Sequence, residues 1–263
     1  MVDGPAVPVF AHRGASEEEP EHTLSAYLLA VEHGADGVEC DVRLTRDGVL
    51  VCVHDRRIDR TSSGSGVVSA HHYHQLAVHD YSEVDGAPAD GWGAPHPART
   101  SLLTLRTLLE TMLDASDTVR FAIETKHPLR YGRDLERALF TLLREMKLLD
   151  SDGHAPRVQL MSFSVHAVRW MAKAAPQTPV VFLMDPVRWP YKQGSLPRGV
   201  DISGPSIETL RKHPHYVERV HARGGKVHVW VVDEPADIDL CVKLGVDAII
   251  TNRPAQVLAR LGR

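Results

Sequence analysis

DGVECDVRLTRDGVLVCVHD, residues 36–55, sets two apolar, strand-like runs one after the other. In the first, Glu39 and Asp41 stand two apart, and side chains at i and i+2 leave a strand on the same face. Both carboxylates therefore point one way while Val38, Cys40 and Val42 point the other. The second run, residues 49–53, ends in His54–Asp55. Acids on the buried face of an apolar strand are costly unless something cationic compensates them. An ion pair with Arg or Lys would do so, and an ExD pair alone does not exclude that structural reading. Arg46–Asp47–Gly48 looks like a hairpin turn. A tight hairpin would leave Glu39 and His54 at ends of a barrel that do not meet. Residues 42–48 are therefore expected to form a descending loop in place of the usual helix.

Upstream, residues 7–11 form a short apolar run ending in His12–Arg13–Gly14. Thr23 reads as the cap of a helix over 24–32, whose Leu24, Tyr27, Leu28 and Val31 recur at helical spacing, with Gly34 as its C′ residue. Downstream, residues 56–100 lose periodicity. Gly, Ser, Pro, His and Asp dominate, with weak helix near 70–79, and so long an irregular connection reads as an insertion or lid. Order then resumes. Helices are expected over 102–113, 134–149, 165–174, 216–222, 236–244 and 255–261. Strands are expected over 119–125, 158–163, 180–184, 227–232 and 248–251, with a Pro-, Arg- and aromatic-bearing loop over 185–199.

Strands alternating with helices mean βαβ units and a parallel sheet. Roughly eight such units favour a closed (β/α)8 TIM barrel, with an insertion after the third strand, over a doubly wound sheet. No G-x-G-x-x-G follows the first strand, which argues against a dinucleotide fold. The chain holds nine strand-like runs, and the short run 200–202 is expected to lie outside the barrel. One domain over 1–263 accounts for the whole pattern.

Composition narrows the function classes. A net charge of −4 leaves no basic footprint for nucleic acid. The three cysteines, Cys40, Cys52 and Cys241, form no framework and read as buried thiols in a reducing compartment. No apolar run reaches the length of a membrane span, and MVDGPAVPVF lacks the pattern of a signal peptide. The expected location is cytoplasmic. Most of the 16 histidines, including His71, His72, His74 and His79, fall in loops and are expected to be solvated.

In such a barrel, functional groups sit at the C-terminal ends of strands. Those ends supply His12 and Arg13, Glu39 and Asp41, His54, Glu124 and Lys126, Ser162 and Phe163, Trp230, and Thr251–Asn252–Arg253. Three carboxylates without clustered cysteines suit one hard divalent cation, Mg2+ or Ca2+. Arg13 and Lys126 suit a phosphate, one by its fork and the other as a point charge. His12 and His54 titrate where an acid–base pair must. Each has a plainer reading as well: a hydrogen-bonded core histidine, a Lys126–Glu124 ion pair, a Trp230 used for packing. Their convergence at one barrel end favours phosphodiester cleavage.

The chain resembles the glycerophosphodiester phosphodiesterase family over almost its whole length. The marks are HRG at 12–14, PEHT at 20–23, ExD at 39–41, HD at 54–55, ETK at 124–126, SF at 162–163 and the Trp of VHVWVVD at 230. The resemblance implies a phospholipase-C-like barrel with Glu39, Asp41 and Glu124 on the metal and His12 and His54 as acid and base. Arg13 and Lys126 would hold the phosphate, Trp230 and Phe163 would contact a small-molecule substrate, and residues 56–100 would cap the barrel mouth. The implied reaction releases sn-glycerol 3-phosphate and an alcohol such as choline or ethanolamine, through either a cyclic phosphate or direct attack by water. The chain departs from the family pattern at His22, where PENT reads PEHT, and at Asn252, where an Asp is more usual. Two other readings share the motifs. One is a phosphodiesterase for a lysophospholipid or glycerophosphoinositol, to be distinguished by Trp92 and the 185–199 loop. The other is a catalytically silent barrel that binds phosphate esters.

Overall fold

A computed structural model describes residues 7–84, 87–88, 96–127 and 132–263. In chain order the strands are β1 (Val9–His12), β2 (Gly37–Leu44), β3 (Leu50–Cys52), β4 (Glu83–Val84), β5 (Ala87–Pro88), β6 (Arg120–Thr125), β7 (Val158–Ser162), β8 (Val180–Met184), β9 (Ile202–Pro205), β10 (Lys226–Val229) and β11 (Ala248–Thr251). The helices are α1 (Leu24–Glu32), α2 (Tyr73–Leu76), α3 (Pro97–Thr100), α4 (Leu105–Ala115), α5 (Asp134–Glu145), α6 (Val165–Ala174), α7 (Ile207–Lys212), α8 (Tyr216–His221), α9 (Pro235–Leu244) and α10 (Pro254–Arg260). Strands β1, β2 and β6 to β11 pair in parallel, and β1 pairs with both β2 and β11, so the sheet closes. The fold is a (β/α)8 TIM barrel. After β8 the crossover holds only one 3-10 turn, Tyr191–Gln193, where a helix usually stands.

Alternation along the strands builds two cores. Phe10, Ala122, Met161, Val181, Ile202 and Ile250 fill the barrel interior. Their neighbours, among them Val9, Ala11, Val38, Ile123 and Leu160, turn outward against the helices. This is the period of two expected of strands with one face in each core. Val51, Val53, Ile58, Val68, Leu76, Tyr81 and Leu102 form a third cluster that seats the segment after β3.

Two expectations fail, one at the β2–β3 connection and one at β9. Residues 42–48 are not a descending loop. β2 runs on to Leu44, turns through residues 45–49 and returns as antiparallel β3, with Val42 opposite Cys52 and Leu44 opposite Leu50. Thr45 and Val49 close the turn through a backbone hydrogen bond (3.0 Å), with Gly48 at φ +83°. Glu39 and Asp41 lie in the middle of β2, so the hairpin stands above the rim, and its return leg brings the chain back to them. The Val53 N–H donates to the Asp41 carbonyl at 3.1 Å. The run outside the barrel is therefore Leu50–Cys52, and the 200–202 run leads into barrel strand β9. That strand was hard to read because ISGP holds Gly204 and Pro205. Gly204 is needed there: a Cβ would lie 2.6 Å from Leu183 and 2.9 Å from Val181. Helix α7 also escaped the sequence pattern, since six residues show no full period, although Ser206 caps it at the N–H of Thr209.

Gly37 opens β2 directly beneath the two acids. A Cβ there would meet the Phe10 ring at 2.4 Å and the Arg120 carbonyl oxygen at 2.7 Å. Gly37→Ala is therefore expected to destabilise the fold by about 1–3 kcal/mol through overpacking, read from the midpoint of urea unfolding.

Candidate active site

Three acids meet at the C-terminal end of the barrel. Glu39 and Asp41 leave β2 on its inward face, and Glu124 leaves β6, which pairs beside it with Asp41 opposite Glu124. Carboxylate oxygens of the three lie within 4.8 Å of one another, and all three residues are buried. Lys126, two residues beyond Glu124, places Nζ 2.9 Å from Glu124 and 3.1 Å from Asp41. Arg13 places Nε 3.2 Å from Asp41, and its backbone N–H donates to the Glu39 carboxylate at 3.1 Å. Arg13 and His22 both adopt positive φ, 58° and 60°, uncommon for non-glycine residues. The turn that carries them is held by the His22 N–H donating to the Arg13 carbonyl (3.0 Å).

His22 replaces an amide in the family pattern, and the structure gives it a structural task. It bridges the Tyr27 hydroxyl (2.8 Å) and Asp41 (2.9 Å). Burial alone would raise the Asp41 carboxyl, but Lys126, His22 and Arg13 hold it well below the usual carboxylate range. The other two acids shift the opposite way. Burial, then repulsion from Asp41 and Glu124, pushes Glu39 well up, and burial and Asp41 push Glu124 up to about 8.

Each histidine carries its own orienting group. The Asn252 side-chain N–H donates to Asp233 (2.6 Å), which turns Oδ1 of Asn252 toward His12 Nδ1 (2.7 Å). Nδ1 must then be the protonated nitrogen, and Nε2 keeps its lone pair. Burial and the neighbouring Arg13 lower His12 to about 3, so the ring is neutral at physiological pH. His54 Nδ1 donates instead to a carboxylate, Asp55, at 2.6 Å. Arg60 grips Asp55 (2.7 Å) and also Glu21 (2.7 and 3.0 Å), and Glu21 accepts in turn from Arg13. Burial lowers His54, with Arg13 and Lys126 adding to it against the raising effect of Asp41 and Asp55.

The residues expected from the sequence come together. His12, Arg13, Glu39, His54, Glu124, Lys126, Phe163 and Trp230 line one cavity of about 130 Å3, with Met161, Leu183 and Ile250 as its floor. Asp41 lies beneath, joined to it through Arg13 and Lys126. Phe163 stands edge-on to Trp230 (5.4 Å), whose indole N–H donates to the Gly204 carbonyl (2.8 Å). A larger groove, about 1280 Å3, adjoins this cavity at Phe163 but holds none of the three acids. Sequence reasoning missed Glu21, Arg60 and Asp233. Glu21 lies inside PEHT and Asp233 ends VHVWVVD, so both sat within quoted motifs, whereas Arg60 carries no local signal. His127, left without a role, bonds Glu136 at 2.6 Å. Trp92 lies outside the described residues. Among the described residues, no helix is long and apolar enough to cross a membrane.

Comparison with known proteins gives the same direction. A model of the Glycerophosphoryl diester phosphodiesterase family matches residues 12–256. A Mycobacterium tuberculosis relative named "Probable glycerophosphodiester phosphodiesterase 1" is 45% identical over 260 residues, covering 96% of this chain and 92% of its own. A glycerophosphodiester phosphodiesterase from Parabacteroides distasonis has a similar crystal structure, with TM-score 0.77, 25% identity and 98% of each chain covered. The fold is also similar to that of an Oleispira antarctica phosphodiesterase in complex with the product sn-glycerol-3-phosphate, with TM-score 0.81, 20% identity and 98% of each chain covered.

The donor set fits a hard divalent cation. The three clustered acids offer only oxygen, and at the two raised ones, Glu39 and Glu124, burial and the neighbouring acids outweigh the lowering effect of Lys126 and, at Glu39, Arg13. A group whose folded pKa lies above its unfolded value takes up a proton on folding, so its cost grows as pH rises from the unfolded to the folded pKa. For Glu124 that window runs from 4.5 to about 8. In chelator, Glu124→Gln is expected to be more stable than the wild type at pH 8, with the gap closing toward pH 4.5. Urea unfolding at several pH values measures it, and a gap independent of pH would contradict the assignment.

Proposed function

This chain belongs to the glycerophosphoryl diester phosphodiesterase family and is a phosphoric diester hydrolase; from that premise we propose that it cleaves glycerophosphodiesters, such as glycerophosphocholine and glycerophosphoethanolamine, to sn-glycerol 3-phosphate and an alcohol. The observation that carries the reading is the convergence of three acids, two cations and two separately oriented histidines around one small cavity. A volume of about 130 Å3 suits a glycerol phosphate better than a lipid tail, and the Oleispira antarctica relative was solved with that product. This favours a water-soluble diester over a lysophospholipid.

In this reading Glu39, Asp41 and Glu124 hold one divalent cation, Mg2+ or Ca2+. When bound, the cation polarises a phosphoryl oxygen and offsets charge that builds in the transition state. Arg13 and Lys126 orient the diester, each already fixed by its contact to Asp41. His12, neutral and with Nε2 free, is the base that accepts the proton of the attacking hydroxyl. His54 is the acid that gives a proton to the departing alkoxide, and the Asp55 carboxylate helps it keep that proton until then. Phe163 and Trp230 form the wall against which the glycerol lies. The described residues of the 56–100 segment cap the mouth of a single catalytic domain, pinned to it by Arg60–Glu21 and Arg99–Glu19. The buried free thiols of Cys40, Cys52 and Cys241 support a cytoplasmic setting.

The direct test is release of sn-glycerol 3-phosphate from glycerophosphocholine. Excess EDTA should abolish it, and His12→Ala should lower kcat by about 10²–10⁴-fold. Activity that survives either change would sink the mechanism. The two histidines separate by pH. Asp55 raises the pKa of His54, so Asp55→Asn should lower it and leave less acid form at neutral pH. The basic limb of the kcat/KM profile is then expected to move to lower pH, while the acidic side stays in place.

A further inference from the structure

The β2–β3 hairpin carries a second cluster of metal-binding side chains at its tip. Asp47, in the turn, faces His72 and His74 at the start of α2, and one potential ligand atom from each lies within 4.8 Å of the others. Asp47 is oriented rather than free. Its Oδ1 accepts from the Thr45 hydroxyl (2.6 Å) and the Tyr73 backbone N–H (2.9 Å), and its Oδ2 stands 3.7 Å from His72 Nδ1. That gap is too long for a hydrogen bond. It is close to the separation of two ligands on one tetrahedral ion, about 3.3–3.6 Å for bonds of 2.0–2.2 Å. The His72 and His74 rings stand 5.7 Å apart, tilted by 45°, close enough for both imidazoles to reach one ion. The supporting backbone is tied down. The Arg46 N–H donates to the His71 carbonyl (2.8 Å), and the His72 N–H donates to the Gln75 side chain (2.9 Å).

The donors here differ in kind from those in the barrel. Two imidazoles and one carboxylate suit a borderline transition ion, whereas three carboxylates suit Mg2+ or Ca2+. We propose that Asp47, His72 and His74 form a second metal site, selective for Zn2+ and ions like it, that clamps helix α2 onto the β2–β3 hairpin. Asp47 and His74 are exposed and His72 is half-buried, so the three side chains are free to close on an ion, and water completes the coordination. The consequence reaches inward. One leg of this hairpin continues from Asp41 and the other leads to His54, so an ion at the tip restrains the element that holds both.

The test uses the full chain without a polyhistidine tag, in saturating Mg2+ to occupy the all-oxygen site, titrated with Zn2+ by calorimetry. One Zn2+ per chain is expected. The double substitution His72→Ala/His74→Ala should weaken it at least about tenfold, and Asp47→Asn, which preserves size, should weaken it as well. Zn2+ should raise the Tm of the wild type and leave that of the double variant unmoved. Glu39→Gln/Glu124→Gln should bind Zn2+ at the tip as the wild type does. Turnover in Mg2+ without Zn2+ should be the same in the tip variants and the wild type. The proposal is overturned if the wild type binds no Zn2+ in Mg2+, if the double variant binds it as tightly, or if the carboxylate variant abolishes it.

Discussion

Burial of the Asp41 carboxylate is the constraint on which the site depends. It is 1% exposed and touched by three groups from three places in the chain: Lys126 beyond β6, Arg13 beyond β1 and His22 before α1. A buried carboxylate without such partners would protonate or unfold its surroundings. Satisfying it requires the β1–α1 turn to fold over the strand ends, with Arg13 and His22 at positive φ. The contacts that stabilise Asp41 are thus the same ones that aim Arg13 and Lys126 at the cavity. Structure and preorganisation share one set of ion pairs, so no separate scaffold is needed to hold the two cations in place.

The hairpin solves a problem of topology. A parallel barrel delivers one rim position per strand, and β2 already spends its position on two acids. By overshooting to Leu44 and returning, the chain adds a further group, His54, at the same rim without a further βα unit. Arg43, on the overshoot itself, fixes the result by donating to the His54 carbonyl at 2.6 and 3.0 Å. The segment after β3 then needs a hydrophobic floor of its own, which Val51, Val53 and Ile58 begin.

What could be read in the sequence follows from how local each signal is. Glu39, Asp41, Glu124 and Lys126 show themselves by i, i+2 spacing on apolar strands, and the barrel by its alternation of elements. The hairpin was visible in Arg46–Asp47–Gly48, but its height above the rim was not. Nothing in residues 42–48 says where along β2 the barrel ends. That depends on which residues pair with β6, and β6 reaches only to Thr125, opposite Val42. β9 failed for the opposite reason, since a short strand that needs Gly204 for close packing shows no apolar alternation. Glu21–Arg60 spans 39 residues, and a contact of that range leaves no trace in any window.

Asn252 shows how one departure from a family pattern is absorbed. The missing charge at 252 is found one step back, on Asp233, which accepts from the Asn252 side chain and backbone and from the Thr251 hydroxyl. The carboxylate still fixes orientation, but through an amide that passes on direction without full charge. His12 therefore has no anion in contact with Nδ1, and burial and Arg13 keep it neutral. His54 has Asp55 in direct contact, which opposes the lowering that burial imposes on it, a counterweight that His12 lacks. In the proposed reaction one ring must lack a proton where the other holds one. Two identical side chains in one cavity can divide those tasks only if their partners differ, and here the difference is an amide against a carboxylate.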